Sequence, residues 1–101
     1  METYDKLVRD NIPKELDSKG INFEQHTASP EEYKKRLIEK LAEEVKELRE
    51  DGNIEELADV LEVIEALKKF PEYTNVEEVR KKKLTEKGGF ERRLILKGEK
   101  S

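Results

Sequence analysis

The chain has 101 residues, 46% of them charged and 34% hydrophobic, with no cysteine and no tryptophan. This is the size of one small domain spanning 1–101, and it excludes a disulfide framework, a thiolate metal site and cysteine catalysis. A net charge of −4, from 25 acids against 21 bases, speaks against a polycation drawn to nucleic acid or anionic membrane. No apolar run approaches the ~18 residues of a membrane span, and no charged-then-apolar leader opens the chain, so a cytoplasmic protein is expected.

In chain order, "YDKLVRDNIPKEL" mixes charged and apolar residues around Pro13, which predicts an extended lead-in and then a short helix. "FEQHTA" (23–28) and, near the other end, "ERRLILK" (91–97) alternate in part and are able to pair as a short two-stranded β element. His26, the only histidine, lies in the first of them and is expected to be packed or exposed, not catalytic.

A long helix is predicted from "SPEEY": Ser29 as N-cap, Pro30 in the first turn and Glu32 completing a capping box. Tyr33, Leu37, Leu41, Val45 and Leu48 recur at helical spacing until Gly52 offers a stop. Asn53 and Glu56 open a second helix at once, and its apolar residues from Ile54 to Phe70 run up to Pro71. A third helix is expected from Thr74 or Asn75 through "VEEVRKKKLTEK" to Gly88-Gly89, with a thin apolar face of Val76, Val79 and Leu84.

The apolar residues of the middle helix spread beyond one stripe, more than one partner helix covers. The expected fold is therefore mainly α: an antiparallel hairpin plus a further helix, with a four-helix-bundle-type core completed by a homodimer or a dimer of dimers.

The "DGN" turn makes the first two long helices antiparallel, and at ~1.5 Å rise per residue Glu47 falls level with Glu56 and Glu44 with Asp59. Four carboxylates at the margin of a core repel one another and lose solvation, a cost that a hard divalent cation offsets. Oxygen ligands without histidine or cysteine favour Mg²⁺, with Mn²⁺ as the alternative. Taken singly, each acid is equally well a cap residue or part of a solvated face: Glu56 by its place in a capping box, Glu47 by pairing with surface lysines. Glu43 points away from the other acids.

"EEVKE" followed by "ELAD" (56–59) gives E-E-x-x-E … E-x-x-D, which resembles the MazG-like all-α nucleoside triphosphate pyrophosphohydrolases. "YDKLVRDNIP", "EELADVLEVIEAL" and "KGGFERRLIL" are similar to the small phosphoribosyl-ATP pyrophosphohydrolase-like branch of that superfamily, so the similarity covers nearly the whole chain. The resemblance implies Glu44, Glu47, Glu56 and Asp59 as magnesium ligands. It also implies hydrolysis of a nucleotide between the α and β phosphates, giving the monophosphate and pyrophosphate. The short gap between the two motifs differs from many relatives, which bears on any specificity carried by an insertion.

The same chemistry needs a carboxylate to orient the attacking water, for which Glu43 and Glu47 are the candidates. It also needs cations for the phosphates. Lys40, Lys83 and Lys87 occupy positions similar to those that serve relatives, and "KLVRD" adds Lys6 and Arg9. Arg80, Arg92 and Arg93 are further basic residues nearby in sequence, and many such side chains are simply solvated. Gly88-Gly89-Phe90 is either a helix stop with an apolar plug or a closure over the base. Two other functions compete: a noncatalytic helical interaction module, and a regulatory protein that binds nucleotide without turning it over.

Overall fold

A computed structural model describes residues 5–99. Four α-helices follow one another: α1 (Ile12–Ser18), α2 (Pro30–Asp51), α3 (Ile54–Leu67) and α4 (Val76–Lys87), with a 3₁₀ turn at Pro71–Tyr73 between the last two.

Helix α2 starts where the capping signal lies. Ser29 is extended at φ −65° and ψ 163°, and its Oγ accepts the Glu32 N–H at 3.2 Å. The reciprocal half of the box does not form, because the Glu32 carboxylate lies 2.8 Å from His26 Nε2. Gly52 ends the helix at φ +64°, a left-handed conformation that glycine adopts without Cβ strain. Asn53 Oδ1 then accepts the Glu56 N–H at 3.1 Å and opens α3. Two residues thus turn the chain back on itself.

Helix α3 stops at Leu67, three residues short of the expected Phe70. Phe70 precedes a proline, whose ring disfavours helical backbone at the residue before it, and Phe70 is indeed extended at φ −71° and ψ 140°. Its ring packs on Tyr33 with centroids 5.4 Å apart, which ties the end of α3 to the start of α2.

No strand forms among the described residues: 22–29 and 93–97 have no regular structure, and Ile95 and Leu96 are almost wholly exposed. A two-stranded ladder without a third strand or a helix against its face is too weak to hold.

The α2–α3 hairpin is the one extensive helix pair. Leu37, Val60 and Val63 are its buried apolar side chains, and Glu44 is buried beside them. Elsewhere the apolar residues are open: Ile38, Val45, Leu57, Leu61 and Ile64 on the hairpin, Val76, Val79 and Leu84 on α4, and Phe90 beyond it. The radius of gyration is 17.9 Å, against about 13 Å for a compact domain of this length. Among the described residues no helix is long and apolar enough to cross a membrane.

Candidate metal centre

The tight turn sets the register of the acids. Carboxylate oxygens of Glu44, Glu56 and Asp59 lie within 4.8 Å of one another, and so do those of Glu47, Asp51 and Glu56. All four acids expected from the sequence are brought together, as two groups that share Glu56. Asp51 is an addition. It sits one turn after Glu47, an i, i+4 spacing that puts both on one flank of α2, but its place beside Gly52 suggested a turn residue.

Charge compensation across the cluster is uneven. Arg9 Nη2 donates to Asp59 Oδ1 at 2.7 Å, and Lys40 Nζ stands 3.3 Å from Glu44. Among the described residues no cation pairs with Glu47, Asp51 or Glu56. Loss of solvation, followed by the negative charges of Asp51, Glu47, Asp59 and Glu44, pushes the Glu56 carboxyl above its ordinary value of 4.5. The capping bond is made by the Glu56 backbone N–H, so its side chain is left to the cluster.

Glu43 stands apart, as its angle on the helix implies. Lys6 Nζ donates to it at 2.9 Å and Lys40 Nζ at 3.3 Å. Its partial burial raises its pKa, but Lys6 and Lys40 outweigh that and hold the carboxyl below the usual range. Lys40 therefore bridges Glu43 and Glu44 and couples this outer pair to the acidic groups.

The expected phosphate-binding cations divide by position. Lys40 and Arg9 reach the cluster. Lys83 and Lys87 are exposed on α4 and form no ion pair with these acids among the described residues. His26 is exposed and paired with Glu32, away from the acids, and Phe90 is 96% exposed, so it plugs no core.

Lys6 and Arg9 also line an open cleft of about 500 Å³ between the lead-in, α1 and residues 23–28, with Arg36 and Glu32 at its α2 wall. Arg36 closes that wall by binding the Asp5 carboxylate at 2.9 Å. The cleft thus shares Arg9 with the group of Glu44, Glu56 and Asp59, and Lys6 with the outlying Glu43.

The donor set consists of carboxylate oxygens alone, close enough in both groups to hold one ion, with neither imidazole nor thiolate among them. That chemistry fits a hard cation such as Mg²⁺ or Mn²⁺. In comparisons with known proteins, no family model, curated protein or solved structure matches the chain.

Proposed function

We propose that this protein is a magnesium-dependent nucleotide pyrophosphohydrolase, with its metal held by Glu44, Glu47, Glu56 and Asp59 and with Asp51 as a further ligand. The observation that carries this reading is Glu56, a carboxylate shared by both acidic groups and left without a cation. The order of the acids along "EEVKE" and "ELAD", and their similarity to the MazG-like motifs, supports it from the sequence.

When bound, the divalent cation supplies charge neutralisation and Lewis acidity at the phosphates. The chain's own residues supply the rest. Arg9 and Lys40 already stand at the edge of the acids and are placed to exchange a carboxylate partner for a phosphate oxygen. Lys83 and Lys87 belong to the same role if α4 reaches the site of a neighbouring subunit. Glu47, with no cation of its own, is the better candidate to orient and deprotonate the attacking water; Glu43 is held by two lysines and serves to position Lys40. Water attacks in line, the anhydride bond between the α and β phosphates breaks, and pyrophosphate leaves as the water proton passes to the carboxylate. The cleft shared by Lys6 and Arg9 has the volume of small-ligand sites and takes the nucleoside.

A second reading, a helical interaction module, draws on the apolar residues exposed along the hairpin. Incubating a broad nucleotide panel with and without Mg²⁺, and detecting pyrophosphate, separates the two. Release from some nucleotide only with Mg²⁺ supports the enzyme. No release and no effect of Mg²⁺ on thermal stability supports the module.

A further inference from the structure

The net charge of −4 is the sum of two unlike parts. Residues 80–97 hold eight basic residues and two acids, a charge of +6, which leaves −10 on the rest of the chain. Arg80, Lys81, Lys82 and Lys83 are consecutive, and at ~100° per residue they surround α4 instead of lining one face. Arg80 is taken by Glu77 at 3.0 Å, and Lys82 stands 3.9 Å from Glu86, both acids of α4 itself. Lys81, Lys83, Lys87, Arg92, Arg93 and Lys97 pair with no acid among the described residues.

The same stretch exposes apolar side chains. Beyond Gly88, which ends α4, the Arg93 N–H donates to the Phe90 carbonyl at 3.1 Å and closes a turn. Arg93 takes φ +56°, the one left-handed backbone among the described non-glycine residues. On the two sides of this turn Phe90 is 96% exposed, Ile95 91% and Leu96 93%, with Leu94 64% exposed beside them. Exposed apolar side chains scattered singly are ordinary. Here four fall within seven residues, with Arg92 and Arg93 between them and Lys97 after them.

We propose that residues 80–97 dock this protein on the surface of an anionic lipid bilayer. Phe90, Leu94, Ile95 and Leu96 enter the boundary between headgroups and acyl chains, and the unpaired basic residues meet the anionic headgroups. Stable attachment to a bilayer takes two signals, and this stretch carries both, a polybasic segment and an apolar one. Single-stranded nucleic acid suits it less, because bases stack on aromatic rings and three of these four apolar side chains are aliphatic. Basic residues on every side of α4 suit an extended charged surface better than a point ligand such as free phosphate. The acidic remainder of the chain is repelled by the same surface, which turns the basic stretch toward the lipid and the acids of the hairpin toward water. No helix has to span the bilayer, in keeping with the described residues. This attachment goes beyond the enzymatic reading and does not depend on it.

The test is cosedimentation of the full-length protein, without nucleotide or metal, with vesicles of phosphatidylcholine alone or of equal parts phosphatidylcholine and phosphatidylserine. Partitioning is expected to be at least tenfold stronger on the mixed vesicles and to weaken as salt is raised. Arg92→Glu combined with Arg93→Glu, and separately Ile95→Ser combined with Leu96→Ser, are each expected to lower it about tenfold or more. All four positions lie outside the helices, so helical circular dichroism should be unchanged. The chain has no tryptophan, so Phe90→Trp supplies a single reporter whose emission should shift to the blue on the mixed vesicles only. No binding to either vesicle overturns the proposal, as does equal binding to both. Loss on charge reversal with no effect of the two serines, and no shift at position 90, also overturns it, because the apolar residues then do not enter the lipid. Release from the mixed vesicles by an equal mass of oligouridylate would assign the stretch to nucleic acid instead.

Discussion

Arg9 and Asp59, 50 positions apart in the chain, are joined by a 2.7 Å hydrogen bond from guanidinium to carboxylate. The bond ties the lead-in to α3 and occupies a carboxylate that the proposed metal needs. A guanidinium and a divalent cation compete for the same oxygens, and Arg9 is then released toward the phosphates. Arg9→Gln is therefore predicted to bind Mg²⁺ about two- to tenfold more tightly in calorimetric titration, while the KM for nucleotide rises. Equal loss of both affinities would assign Arg9 a purely structural role.

Glu56 makes the apo protein sensitive to pH in a definite direction. Its folded pKa lies above its ordinary value of 4.5, so the folded state holds this proton more firmly than the unfolded chain does. The resulting stability is present below that ordinary value and is lost as pH rises through the raised one. Glu56→Gln is predicted to raise the metal-free melting temperature at neutral pH and to flatten this part of its pH profile. The same variant should lose most of the stabilisation that Mg²⁺ gives the wild type.

The sign reverses for Glu43. Lys6 and Lys40, against a contribution from burial, hold its pKa below 4.5, so its stabilisation is present above that value and fades as pH falls through the lowered one. Because Glu43 lies outside both acidic groups, Glu43→Gln should leave Mg²⁺ affinity within about twofold, whereas Glu44→Gln lowers it at least tenfold. Competitive titration with Mn²⁺ followed by electron paramagnetic resonance measures both.

The turn that aligns the acids depends on one backbone conformation. A Cβ at position 52 would meet only the Leu48 carbonyl oxygen at 3.7 Å, an ordinary contact, so the cost of a side chain there comes from φ +64°. Gly52→Ala is predicted to cost about 1 kcal/mol, or a melting temperature lower by roughly 4–8 °C. Gly52→Asn should cost less, because asparagine tolerates this region better. Thermal unfolding of the three proteins decides it.

The hairpin was legible because its signals are local. Ser29, Pro30, Gly52 and Asn53 act within one turn of helix, and counting residues outward from Gly52 places Glu44 beside Asp59 and Glu47 beside Glu56. The early end of α3 was also local, but the apolar stripe running through to Phe70 masked the effect of Pro71 on the residue before it. Contacts across long stretches of chain were not legible. The sequence marks Arg9 as basic but does not say that it lands on Asp59, and it marks Glu43 as separate but does not say that Lys6 holds it there. "FEQHTA" and "ERRLILK" alternate as strands do, yet pairing depends on a neighbour that alternation does not specify.

The most direct test of the central claim is phosphorus NMR of a nucleotide, found by the pyrophosphate screen, incubated with Mg²⁺ and either the wild type or Glu56→Gln. The account predicts monophosphate and pyrophosphate as the products, with turnover falling at least a hundredfold in the variant while its helical circular dichroism is unchanged. Wild-type turnover by Glu56→Gln, or products of diphosphate and orthophosphate, would contradict it.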